Sequence, residues 1–300
     1  MKSKKLIIIS GSPRSGSTWV GKVLAEHPKT HYVHEPFNIG IKRNISPFKY
    51  WMEGVFENQP DNHLTNVKKY LKSFYAIDSN FLKSELRKVI NFNSFRKFIW
   101  TLIELRQVTP ILKDPIAFFA LEWIYKNFPT KIIITIRHPA AVVASLKQKG
   151  WGYDFQQMLD QPDLMNNYLS PLRVEIEEFA STRKTIVEQG ALLWKTVYFV
   201  NKIYMKNYPS WFYVRNEDLS LDPFDQYEDM LNFTGLSTSQ EVYDYVRKTT
   251  TARKGEETYL VRDSKRNISK WKNILSEEEI AHIKEFTSGV WEQYYSEKDW

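Results

Sequence analysis

The sequence contains no cysteine. That absence excludes disulfides, thiolate metal sites and a cysteine nucleophile together, and it fits a reducing cytoplasm. No apolar run approaches the ~20 residues that a membrane-spanning helix needs. The start, Met1-Lys2-Ser3-Lys4-Lys5, is basic like the head of a signal peptide, but only Leu6-Ile7-Ile8-Ile9 follows before a Ser-Gly turn. Neither a signal nor an anchor is expected from so short a run. The 42 Lys and Arg residues form no long block, and no finger, RRM or helix-turn-helix signature appears. Nucleic acid is therefore not the expected partner. Internal repeats, Gly/Ser linkers and low-complexity tracts are missing too, so residues 1–300 are expected to form one domain.

What is present points to an anionic ligand. The net charge is +7, and aromatics reach 15%, ten of them Trp. A basic balance favours anions, and bulky rings suit either a core or a deep groove. Strand signals alternate with helix signals. Leu6–Ile9 reads as a buried parallel strand, and Val20, Val23 and Leu24 recur at helical spacing before His27-Pro28. Pro110–Lys113, Ile132–Ile136 and Trp211–Val214 read as further strands. Ala140–Lys147 and Pro223–Phe233 read as helices, and Ser276-x-x-Glu279 is a capping box before a third. Such alternation predicts an α/β fold: an open, mainly parallel sheet flanked by helices on both faces. The aromatic, basic stretch from about 40 to 110 shows no strand alternation, and Lys83–Trp100 within it reads as helical. A helical excursion covering the substrate side is expected there.

Residues 11–18 read GSPRSGST, with strand before and helix after. The spacing is that of a phosphate-binding loop, yet the lysine of the nucleotide P-loop is replaced by Ser17. Successive backbone amides and the helix N-terminus make an anion nest, with hydroxyls from Ser15, Ser17 and Thr18 and a charge from Arg14. Without the lysine, a shorter anion than a metal-bound triphosphate is expected. A second feature is IRHPAAVVAS: Arg137 stands at the carboxyl end of a strand, where open α/β sheets bind ligands. Ser145 follows eight residues later, about two helical turns, and both can face one pocket. They look like donors for a second anion, away from the loop.

The pair SGSPRSGSTWV and IRHPAAVVASL resembles the sulfotransferase family that uses 3′-phosphoadenosine-5′-phosphosulfate (PAPS), closest to its bacterial and carbohydrate types. The resemblance implies a P-loop-like fold and an enzyme that moves a sulfuryl group to an acceptor hydroxyl. It also implies that Arg14, Ser15, Gly16, Ser17, Thr18 and Trp19 hold the nucleotide at the phosphosulfate end, with Arg137 and Ser145 on its 3′-phosphate. ARKG at 252–255 and SKWK at 269–272 resemble parts of that family's cofactor-covering loop, expected here over about 250–275. Sixteen residues separate Gly255 from Lys272, a wider gap than in the cytosolic enzymes, so Arg253, Lys254, Arg262 and Lys270 all stand as candidates for the nucleotide.

The cytosolic members use a His after a Lys-Thr pair; Leu112-Lys113-Asp114-Pro115 has none. Carbohydrate-acting relatives use an early Glu, and YVHEPFN places Glu35 seventeen residues after Thr18. Glu35 is thus the expected general base and His34 the runner-up. Alternation along a strand would send only one of the two into the site. Lys113 is expected to assist departure of the phosphate, and Asp114 to orient it or act as base. The other histidines, 27, 31, 63, 138 and 282, show no paired metal spacing, and no metal is expected. The acceptor implied by the Glu35 pattern is a glycan. A metal-dependent small-metabolite kinase and a non-catalytic nucleotide- or glycan-binding protein are the alternatives.

Overall fold

The computed structural model describes residues 5–42, 46–75, 95, 108–250 and 268–300. Its centre is a five-stranded, wholly parallel sheet: β1 (Leu6–Gly11), β2 (Thr30–His34), β3 (Thr109–Lys113), β4 (Thr130–Ile136) and β5 (Phe212–Arg215), in the order β2-β3-β1-β4-β5. The central strand β1 is buried along its whole length, as its unbroken apolar run requires.

Period-two geometry splits that run between two cores. Ile7 and Ile9, with Ile111 and Ile133, face α1 (Ser17–Ala25) and the later helices. Leu6, Ile8, Leu112, Ile132 and Ile134 face the opposite layer with Trp194, Val197 and Tyr198. Helices therefore cover both faces. In chain order the principal ones after α1 are α2 (Asp61–Tyr75), α3 (Leu121–Asn127), α4 (Pro139–Lys149), α5 (Arg173–Ser181), α6 (Ile186–Asn207), α7 (Asn216–Leu221), α8 (Pro223–Thr234), α9 (Gln240–Thr250) and α10 (Glu277–Phe286). Pro139 opens α4 and Gly150 closes it at φ 65°, the Pro-first, Gly-last pattern that fixes a helix's limits. The Ser276–Glu279 box caps α10 as the sequence predicts.

The strand limits lie within two residues of those read from sequence. In the stretch 40–110, α2 is helical as expected, and residues 47–60 run as turns against the 151–164 segment. The Lys83–Trp100 helix falls almost wholly outside the described residues. Among the described residues no helix is long and apolar enough to cross a membrane.

Candidate active site

A cavity of about 840 Å³ opens at the carboxyl ends of β1 to β4. Its floor is the 11–18 loop. Gly11 (φ 147°), Arg14 (φ 71°) and Gly16 (φ 99°) all sit in the left-handed half of backbone space, which curls the chain tightly before α1 starts at Ser17. Gly16 has a second reason to be glycine: a Cβ there would lie 2.2 Å from Asn216 Nδ2. Ser17, Thr18 and Trp19 line the cavity at the positive end of α1. Trp19 Nε1 donates to Thr249 Oγ1 at 3.0 Å, which ties the loop's helix to α9.

Ser15 is different. Its side chain is fully buried and its Oγ lies 2.7 Å from Thr135 Oγ1, turned into the sheet and outside the cavity lining. Position 15 thus locks the loop onto β4, and only its backbone remains to face an anion.

The two anion motifs, expected apart, are joined. Arg14 Nε donates to Ser145 Oγ at 2.9 Å, and Arg137 Nη1 donates to the Arg14 carbonyl at 3.0 Å. The Arg14 guanidinium also lies 5.4 Å from the centre of the Trp151 ring. Its left-handed backbone throws the side chain sideways across α4 instead of into the loop. Lys113 is a further cation in the cavity lining, and it is 1% exposed. Behind Arg137, Trp194 Nε1 donates to its carbonyl at 2.8 Å, and the His138 amide donates to Glu217 Oε1 at 3.0 Å. The turn that carries Arg137 is therefore pinned from α6 and α7.

Glu35 lies just beyond β2, at φ 42°. Its amide donates to the Lys113 carbonyl at 2.9 Å, extending the β2–β3 ladder one step. Its carboxylate meets Lys113 Nζ at 2.5 Å through Oε1 and Asn38 Nδ2 at 2.8 Å through Oε2. Lys113 is 1% exposed, so this ion pair is largely shielded from solvent. Burial works to raise the carboxyl's pKa, but the Lys113 hydrogen bond and charge, then Asn38 and His34, outweigh it and hold the group below its ordinary value. The strict alternation expected for His34 and Glu35 is not kept. The left-handed turn at Glu35 ends the pleat, both residues line the cavity, and His34 Nε2 stands 3.9 Å from Glu35 Oε1.

Asp114 is not brought into the cavity. It is 0% exposed, and its two carboxylate oxygens accept from the amides of Phe37 (2.6 Å) and Ile116 (2.9 Å). It ties the Glu35 turn to the end of β3. Burial pushes its pKa up to about 7 against those two amides, which favour the ionised form. A carboxyl raised on folding makes the native state bind more protons than the unfolded chain, so its contribution falls as pH rises from about 4 to about 7. The melting-temperature difference between wild type and Asp114→Asn should change across that window and be level above it. A difference that is flat from pH 4 to pH 8 would remove Asp114 as a titrating group.

Lys270 is exposed on a one-turn helix and does not line the cavity; Arg253, Lys254 and Arg262 lie outside the described residues. No group of three or more potential metal ligands occurs among the described residues. Sequence reading missed Asn38 and Asn216, both lining the cavity; Trp51, which also lines it, belongs to the aromatic stretch expected to cover the substrate side. Asn38 stood in the quoted YVHEPFN, three residues after Glu35, a spacing that a turn brings together. Asn216 carried no motif.

A family model described as "Sulfotransferase family" matches residues 7–240. Among solved structures, the sulfotransferase domain of the Synechococcus PCC 7002 olefin synthase is similar, with a TM-score of 0.53 and 16% identity over 98% of this chain and 96% of that one. The sulfotransferase domain from the curacin biosynthetic pathway gives 0.52 and 14%, covering 98% of both chains. At such identities the likeness is one of fold. No curated protein matches.

Proposed function

The chain belongs to the sulfotransferase family and is an enzyme of sulfuryl transfer, and from this premise we propose that it uses PAPS as donor and a carbohydrate hydroxyl as acceptor. The observation that carries the reading is the shielded Glu35–Lys113 pair, set 2.5 Å apart in the same cavity as an anion loop. The cavity is near the upper end of the roughly 300–1,000 Å³ usual for ligand sites, which suits a nucleotide together with part of an acceptor. We take the 300 residues as one transferase unit working in the cytoplasm, where a chain without cysteine loses nothing.

The residues present fit a nucleotide with two anionic ends. The loop amides, the α1 N-terminus and Thr18 suit the 5′ end; Arg137, with Ser145 holding Arg14 beside it, suits a 3′-phosphate; and Trp19 offers an indole between the loop and α9. When bound, PAPS supplies a sulfuryl group already activated by a phosphate leaving group. The chain's own part is charge management. Glu35, ionised at neutral pH, takes the proton of the acceptor hydroxyl as that oxygen bonds to sulfur and the bond from sulfur to the phosphate oxygen breaks. Once protonated, Glu35 no longer neutralises Lys113. The ammonium is then free to face the charge gathering on the departing phosphate, so the two events favour each other. Asn38 holds the second carboxylate oxygen and fixes the group's rotation.

Radiolabelled sulfate transfer from PAPS to glycans, lipids and phenols tests this reading. Chelator should leave both transfer and bisphosphate binding unchanged, whereas a P-loop kinase would need Mg²⁺ and ATP. Bisphosphate binding with no transfer to any acceptor would favour a non-catalytic protein. Lys113→Met provides a finer check. It removes the strongest influence lowering the Glu35 pKa and leaves burial, so the acid limb of the pH–rate profile should move upward. An unmoved limb would assign it to another group.

A further inference from the structure

We propose that Trp51 is the acceptor platform of this site and that it takes the flat C–H face of an uncharged pyranose ring, an inference that rests on the sulfotransferase reading above. Trp51 is 38% exposed and lines the cavity mouth. An indole left open to water is ordinary when its backbone is slack; here the backbone is clamped from several sides. The Trp51 amide donates to Gln157 Oε1 at 3.0 Å, and its carbonyl accepts from Tyr153 Oη at 3.1 Å. One residue later Met52 is held at φ 59°, a conformation that costs a non-glycine residue free energy, with its side chain buried. Next comes Glu53, almost wholly buried, whose Oε2 accepts from the amides of Lys49 (2.6 Å) and Tyr50 (3.0 Å). Gly54 then donates to Gln161 Oε1 at 2.9 Å.

A strained residue, a buried carboxylate and two glutamine side chains are thus all committed to one turn. What that turn displays is a partly exposed indole. Costs of this kind persist where the displayed group has a task. The indole also stands close to the chemistry: the position a Cβ on Gly40 would take is 3.6 Å from Trp51 Cζ2, and Gly40 N donates to the Oδ1 of Asn38, whose Nδ2 holds Glu35. A ring lying on Trp51 would therefore sit beside the base.

The surroundings select the ring's chemistry. Asn38 and Gln157 are neutral hydrogen-bonding groups and Asp154 is acidic, all lining the same mouth. Arg14, the cation near Trp151, is engaged with Ser145 and the Trp151 ring. At this mouth an anionic sugar would face Asp154, while the cavity's cations are engaged, Lys113 with Glu35 at 2.5 Å and Arg14 with Ser145. A neutral pyranose suits this mouth better: its axial C–H face packs on indole while its rim hydroxyls reach the amide side chains.

The test is retention on a glycan array carrying neutral and uronate- or sulfate-bearing oligosaccharides, with adenosine 3′,5′-bisphosphate present, together with calorimetry of 2-naphthol. Wild type should retain neutral glycans. Trp51→Ala should lose about tenfold in that affinity, Trp51→Phe should recover most of it, and all three should bind the bisphosphate equally. Equal retention by Trp51→Ala, a preference for the anionic glycans, binding of 2-naphthol in place of sugar, or no neutral glycan retained would each overturn the proposal. Sulfate transfer to a non-sugar hydroxyl that is indifferent to Trp51 would do so while leaving the enzyme reading intact. Wild type unable to bind the bisphosphate would sink both.

Discussion

Glu35→Gln is expected to lower turnover about a thousandfold while leaving the affinity for adenosine 3′,5′-bisphosphate within a factor of two of wild type. A positioned general base contributes roughly 10²–10⁴ in rate, and the amide cannot accept a proton at working pH. The substitution is nearly isosteric, so Asn38 keeps an oxygen to donate to and the turn should survive. Lys113 loses its counter-charge and remains buried, which costs stability and is a second reason for slow turnover. Single-turnover sulfate transfer, paired with calorimetric titration of the bisphosphate, separates chemistry from binding. Wild-type turnover in Glu35→Gln would move the base to His34, the other side chain in the cavity whose nitrogen approaches the same place. A double substitution with His34→Ala would then be the decisive comparison.

Arg137→Ala should weaken the bisphosphate roughly a hundredfold, about 2–3 kcal/mol for a lost charge-assisted contact in a partly shielded site. Two effects combine. The guanidinium's charge at the end of β4 is lost, and so is the hydrogen bond from Nη1 to the Arg14 carbonyl that props the loop's left-handed residue. Arg137→Lys separates them, since a lysine restores charge without the planar fork. It should recover only part of the affinity. Titration of adenosine 5′-monophosphate beside the bisphosphate isolates the 3′ contact: if both nucleotides weaken equally in Arg137→Ala, the residue props the loop and does not read the 3′-phosphate.

The sheet was legible because its strands are short, apolar and bounded by turns. Ile132–Ile136 and Leu6–Ile9 leave little alternative to burial on both faces. The anion loop was legible for a related reason: glycines at fixed spacing after a strand encode backbone shape directly. Side-chain direction was harder. Ser15 looked like its hydroxyl neighbours in sequence, but Thr135, 120 residues away, captures its Oγ. Arg14 looked like a lysine substitute, and only its left-handed backbone shows that it crosses to Ser145. Asp114 followed Lys113 at the end of a strand, and alternation alone could not say that Phe37 and Ile116 would claim both of its oxygens. Asn216 enters through tertiary approach from a segment far along the chain, which no local pattern records, whereas Asn38, three residues after Glu35, enters through a turn.

The Glu35 amide bonds to the Lys113 carbonyl, and the Asp114 amide bonds to the Ile9 carbonyl, so the ends of β2, β3 and β1 are laced together. Lys113 thus stands on the sheet, and Glu35 stands one residue past it in the turn that leaves β2. Lys113 ends β3, which pairs with the central strand β1, and Glu35 follows the edge strand β2, held to β3 by its amide and to Asn38 by its carboxylate. The distance between Glu35 and Lys113 is accordingly a property of the fold, set before either substrate arrives. Ligand arrival has nothing to assemble at this pair.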